Sequence, residues 1–365
     1  MKKQLVLLML AFPAVSWAQH TYKNLPVIKA ENVKANFRIG ENGTRSNWNI
    51  SPELSPDVLT VACFTGKEKV FFATDKDSVE YSLKPGESKQ FYVLLNDKDY
   101  ALTELKGISF PEITFEKKAK AGQYKLNYES ETEKEFLKTL RETYQLNEVI
   151  KGAKNDTEKA LKMMHWVHNQ WKHNGMNEPS KKDALTILKE AAEGKQFRCV
   201  EYGIVTTSAL NAVGLKSRVL ALKTKDVETT KSGAGHVVLE TYLPDLGKWV
   251  MLDSQWDAMP VLKGKPLNAV EFQQAIVNNY DKLEIRSLSG LNKQKYSNWI
   301  VPYLYYFDVK FDNREDLEKP TLVNGKASLM LVPLGAKNPT VFQEKWPIAN
   351  CHYTNSTADF YAKPQ

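Results

Sequence analysis

Cysteine is scarce in this chain, with three residues among 365. So few thiols exclude a disulfide-stapled scaffold and a cysteine-rich zinc module. Long apolar runs are also missing, and no stretch reaches the ~20 residues that a helix needs to span a bilayer. Low-complexity tracts are absent, which argues against a fibre or a disordered tail. The 50 Lys and Arg residues are dispersed and form no basic stripe interleaved with aromatics, so there is no footprint for nucleic acid. What is present is 42% hydrophobic and 25% charged residues, the balance of a folded protein with sizeable cores. The length suits two or three domains.

The N-terminus reads as an export signal. Lys2 and Lys3 give a positive start, positions 5–15 are apolar, and Ser16 and Ala18 are small residues flanking Trp17. This order predicts a signal peptide over residues 1–18, cut after Ala18. The apolar run is about half the length of a spanning helix, which separates it from a membrane anchor. Cleavage removes two lysines, so the net charge of +7 falls to +5. The expected product is exported, periplasmic or extracellular, with no integral membrane segment. Its mildly positive surface suits acidic envelope polymers.

Residues 19–125 read as a β-rich N-terminal domain. Apolar runs at 58–64, 69–73 and 90–95 predict strands, and Pro85, Gly86 and Glu87 mark a turn between the second and third. Short strands at this spacing suggest a sandwich. The lysine-rich stretch 117–122 reads as a linker. A central unit over 126–290 then changes to helical patterning. Asn155 and Glu158 have the spacing of a capping box, and Leu161, Met164, Val167, His168 and Trp171 follow as one stripe. Further helices are expected over 182–193 and from Cys199 to a cap at Gly214, then strands at 217–222, 236–243 and 248–253. Residues 291–365 return to strands, including 304–307 and 328–332.

The central unit holds Cys199, His236 and Asp253 in contexts that suit joint chemistry. Cys199 opens a helix, where unpaired N–H groups and the positive dipole end favour an anion, the nucleophilic thiolate. That helix is apolar on nearly all sides, so it is expected to be buried and to hold its first residue rigidly. His236 and Asp253 flank a hairpin closed by Pro244, Asp245, Leu246 and Gly247. If Leu243 faces Lys248, His236 and Asp253 become near neighbours on one sheet face, within about 7–8 Å. An imidazole beside a carboxylate is a base with its orienter. Backbone N–H groups at the start of the Cys199 helix would stabilise an oxyanion, with Gln196 as a side-chain candidate.

These segments resemble the transglutaminase-like superfamily. The block 197–203, continued by 209–219, is similar to that family's cysteine block; 235–243 is similar to its histidine block, and 248–253 to its aspartate block. The helix containing Trp166, Val167 and His168 resembles the one that precedes the cysteine. The resemblance covers roughly residues 140–260 and suits an exported bacterial-type member. It implies an α+β, papain-like core with a Cys-His-Asp triad acting on amide bonds. Gly203 stands where alanine is common in the family, and Val237 and Val238 replace residues that are often aromatic or small.

The expected architecture is therefore α+β: a papain-like transglutaminase core between an N-terminal β-sandwich-like domain and a C-terminal β-rich segment. The expected activity is cysteine-dependent amide or peptide hydrolysis, or acyl transfer, through a thioester on Cys199. Its partner would be a peptide or protein amide, such as a cell-envelope peptide. The competing reading is an inactive envelope protein that binds peptide or glycan through its β domains. His165, His168 and His173 invite a metal reading, but no HExxH pattern is present and His168 lies on the apolar stripe. No metal or cofactor is expected. Cys63 and Cys351 lie in apolar contexts, and the sequence is compatible both with a disulfide between them in an oxidising compartment and with two free thiols.

Overall fold

The computed structural model describes residues 20–40, 44–118, 124–130, 132–315 and 318–364. The signal-peptide segment 1–18 lies outside the described residues. The chain divides after Ile108 into two compact units.

In the first unit, alternation of side chains builds a β-sandwich. Along Asp99–Ile108, Ala101, Thr103, Leu105 and Gly107 turn inward while their neighbours do not, as a period of two requires for a half-buried strand. Five strands form one sheet in the order Thr21–Tyr22, Leu25–Ala30, Ser88–Leu95, Asp99–Ile108, Asp57–Ala62. Four form the other: Thr44–Asn49, Lys34–Ile39, Glu68–Ala73, Ser78–Leu83. Val61, Phe91 and Val93 from the first sheet share a core with Ala35, Val70 and Phe72 from the second. The strand Ser78–Leu83 lies between the strands predicted at 69–73 and 90–95. The expected turn therefore follows this extra strand, with Gly86 at φ +82°, a backbone state that glycine adopts without strain.

The second unit is a six-stranded sheet with helices packed on it. Its order is Lys248–Leu252, Gly235–Leu243, Ser217–Lys223, Tyr306–Lys310, Ser328–Leu331, Cys351–Thr354. All neighbours are antiparallel except the last pair. The strands of 291–365 thus extend the core sheet, and Leu220 pairs with Val309. The division after Ile108 lies upstream of the lysine-rich stretch, of which 119–122 is outside the described residues. Residues just past the division are bound into the second unit: Gln273 Nε2 donates to the Pro111 carbonyl at 3.0 Å, and Phe115 packs edge-on against Phe307.

The helix Asp156–His168 begins at Asn155, whose side chain accepts from Glu158 N at 2.9 Å. The reciprocal bond of the expected box shifts by one residue, since Glu158 accepts from Lys154 N. Ala184–Ala192 follows, capped by Asp183. Cys199–Ala212 is buried along most of its length and ends before Gly214 at φ +84°. This central helix lies very close to the sheet at Gly203, where an added Cβ would be 3.0 Å from Val237 Cγ1 and 3.4 Å from the Val238 carbonyl. The missing methyl at Gly203 thus leaves room for the Val237 side chain.

Candidate active site

Cys199 is the first residue of its helix and is half-buried. The start of that helix is fixed by Glu201, a fully buried carboxylate. Glu201 accepts from the Arg198 backbone N–H at 3.1 Å and from its guanidinium at 2.8 Å. An acidic residue in the first turn also suits the helix dipole. Arg198 further engages Glu178. Arg198 is thus a clamp on the loop before the nucleophile rather than a partner of sulfur.

The hairpin has the register anticipated from its turn, with Leu243 opposite Lys248 and Leu239 opposite Leu252. Pairing ends there, and Asp253 turns to bridge with Ala258. His236 Nε2 meets Asp253 Oδ2 at 2.8 Å, with both side chains buried. Cys199 lies near enough for its charge to act on the imidazole. The structure thus brings Cys199, His236 and Asp253 together. Burial opposes the charged imidazole, but the Asp253 carboxylate and, after it, Cys199 outweigh burial and push His236 up to about 9.

Several residues that sequence reasoning passed over surround this pair. The helix Lys293–Ile300 and the 3-10 turn Val301–Tyr303 place Tyr296, Trp299 and Tyr303 beside it. The Tyr296 hydroxyl, fully buried, donates to Asp253 Oδ2 at 2.9 Å. Trp299 packs edge-on against His236 with centroids 4.6 Å apart, and Tyr303 lies at 5.9 Å. Trp256 packs on Trp299 at 4.9 Å. The spacing of 296, 299 and 303 is helical, but it falls in a segment too short to show a stripe.

The histidines of the metal reading separate into different tasks. His165 Nδ1 bonds to Asp257 Oδ2 at 2.9 Å, and His168 Nδ1 to the Ser254 carbonyl at 3.0 Å. Both tie their helix to the turn that follows Asp253. His173 feels the charges of His236 and Asp253; desolvation first, then the charge of His236, holds it below the usual histidine range. Among the described residues no group of three or more His, Cys, Asp or Glu is arranged to hold a metal. Gln196 is exposed, and its carbonyl accepts from Asn177 Nδ2 at 2.9 Å. All three cysteines are free thiols.

Residues 144–254 match the family model described as the transglutaminase-like superfamily. The match ends one residue past Asp253 and takes in all three members of the constellation. The chain therefore carries a transglutaminase-like core, with β-sheets around it. No curated protein matches the chain. Among solved structures, one described as a TGase shares 16% identity over 33% of this chain and 30% of its own length, with a TM-score of 0.24. A candidate cysteine protease from Cytophaga hutchinsonii shares 9% over 71% of this chain and 77% of its own, with a TM-score of 0.28. Red sea bream transglutaminase shares 9% over 64% and 49%, with a TM-score of 0.23. The chain spans under a third of the length of the first of these structures. The similarity is slight in each case.

Proposed function

We propose that this protein is an exported cysteine hydrolase or acyltransferase that cleaves amide bonds through a thioester on Cys199. The observation that carries the reading is the buried His236–Asp253 pair at 2.8 Å, with a half-buried thiol at a helix mouth near enough for its charge to act on the imidazole. His236, which Asp253 steadies, takes the thiol proton, and Cys199 attacks as the thiolate. Sulfur attacks the amide carbon, a C–S bond forms, and the carbonyl electrons move to oxygen. Backbone N–H groups from Cys199 onward, with Gln196 as a side-chain candidate, stabilise that oxyanion. Its collapse breaks the C–N bond, and the departing amine takes the proton from His236. Water or an amine then attacks the thioester, His236 accepts its proton, and Cys199 is released as the thiolate.

Hydrolysis is favoured over crosslinking because Cys199 is partly open to solvent. The signal-like residues 1–18 support export, and with it a peptide of the cell envelope as substrate. Comparison of wild type with Cys199→Ala tests the reading through amide hydrolysis, amine incorporation and labelling by a thiol-directed electrophile. A wild type no more reactive than the variant at pH 7 would sink it, and would favour a binding protein built on the same core.

A further inference from the structure

We propose that Tyr296 is a positioning residue for the reaction, holding Asp253 in line with His236 and limiting how strongly the imidazole keeps its proton. This rests on the reading of Cys199 as a nucleophile served by His236, and it adds a fourth side chain to that site. Tyr296 lies beyond the family match at 144–254. The region 291–365 thus contributes to the active centre as well as to the sheet.

The hydroxyl is placed for that task. It donates to Asp253 Oδ2 at 2.9 Å, the same oxygen that His236 Nε2 meets at 2.8 Å. The other oxygen, Oδ1, accepts a longer bond, from the Trp256 backbone N–H at 3.3 Å. The direction of the carboxylate is therefore set at Oδ2, by two donors at once. Tyr296 is itself held firmly. Its ring stacks on the fully buried Phe272, with the planes 9° apart. Asn292 caps the helix by accepting from Lys295 N at 2.9 Å. Trp299, three residues further along the same helix face, packs edge-on against His236. One helix therefore touches both members of the pair.

The sign of its effect follows from elementary electrostatics. Burial, with the charge of Asp253, pushes the Tyr296 phenol well above its ordinary range, so it stays protonated and remains a donor. Its positive end faces an oxygen that the imidazolium also faces. Two positive groups at one oxygen oppose each other, and in a buried site little solvent screens them. Tyr296 thus lowers the proton affinity of His236, against the pull of Asp253. A histidine that keeps its proton too tightly is a poor acid for the departing amine. Among the described residues, the other titratable groups facing the pair are Cys199 and Tyr202 on the central helix, His173 on the loop after Asp156–His168, and Tyr303. Lys295, on the helix of Tyr296, lies over the Trp256 ring.

The test is the titration of His236 by histidine-labelled NMR on the full chain, in wild type, Tyr296→Phe, Asp253→Asn and the double variant. Each variant leaves the other titratable groups in place. We expect His236 in Tyr296→Phe to titrate about half a unit to one unit higher, roughly a three- to tenfold change in its acid constant. The shift should vanish in the Asp253→Asn background, because the hydroxyl acts through that carboxylate. Incorporation of 3,5-difluorotyrosine at position 296, a stronger donor of nearly the same shape, should move His236 the other way, and it keeps the test open if Tyr296→Phe does not fold. A tyrosine with only a structural role would lower the melting temperature and leave the titration where it is. An unchanged or lower titration in Tyr296→Phe, an unchanged or higher one with difluorotyrosine, or a shift that persists with Asp253→Asn overturns the proposal. The titration needs no substrate, so its outcome is separate from whether Cys199 turns over amides.

Discussion

Replacing Asp253 by asparagine removes the charge that sets the protonation of His236 while keeping the shape of the side chain. In the wild type, burial pulls the imidazole down, and Asp253 with Cys199 reverses this to about 9. Relative to an ordinary value of 6.5, that rise amounts to about 3 kcal/mol in favour of the imidazolium. The carboxylate and thiol together supply more than this, because burial works against them. The sign for stability follows from linkage. A histidine raised in the folded state contributes fully below pH 6.5, and its contribution is lost as pH rises through about 9. In Asp253→Asn burial is unopposed by the carboxylate, so His236 should titrate at about 6.5 or below. The loss of stability then moves to the acid side. Histidine-labelled NMR, with the His236 resonance assigned by His236→Gln, gives the titration directly, and thermal melts at pH 6, 7.5 and 9 give the stability. If His236 titrates at the same pH in wild type and Asp253→Asn, the proposed control by the carboxylate is wrong.

Tyr296→Phe deletes one hydrogen bond to the buried Asp253 carboxylate; a bond to a charged group is worth about 1.5–3 kcal/mol, so the melting temperature should fall while the helix Lys293–Ile300 stays folded by circular dichroism. Gly203→Ala presses a methyl to 3.0 Å from Val237 Cγ1 and should cost about 1–3 kcal/mol in denaturant melts. Adding Val237→Ala should recover part of that cost, and strict additivity of the two changes would refute the contact. Arg218 and Glu240 form a fully buried ion pair at 2.7 Å, with the Arg218 guanidinium over the rings of Trp249 and Phe360. Arg218→Met strands the Glu240 carboxylate and should cost about 3–5 kcal/mol; Arg218→Met with Glu240→Leu should restore most of it in the same assay.

Local pattern made part of this molecule legible. The start of the Cys199 helix, its stop before Gly214, and the hairpin register from a four-residue turn all depend on neighbours in sequence. So the approach of His236 to Asp253 could be anticipated from turn chemistry and the two-residue strand period. The aromatic wall was not legible, because Lys293–Ile300 is eight residues long and its role depends on where Trp299 and Tyr303 land after more than fifty residues of intervening chain. Nor could pattern show that Tyr306–Lys310 pairs with Ser217–Lys223, a contact set by sheet topology. Charged residues gave the weakest signal. His165 looks like a candidate for chemistry in a sequence, and only its partner Asp257 reveals that it holds the scaffold.

The most direct test is the rate at which Cys199 is alkylated. At pH 6 an ordinary thiol is ionised well under ~1%, and Cys63 and Cys351 serve as internal controls, being buried thiols pushed up by their burial. Timed treatment of the folded protein with iodoacetamide at pH 6, followed by peptide mass spectrometry, reads all three sites at once. A thiolate held by His236 should make Cys199 react well before the other two and faster than free N-acetylcysteine, with the advantage lost in His236→Ala. Alkylation of Cys199 no faster than N-acetylcysteine, or equally fast in His236→Ala, would contradict it.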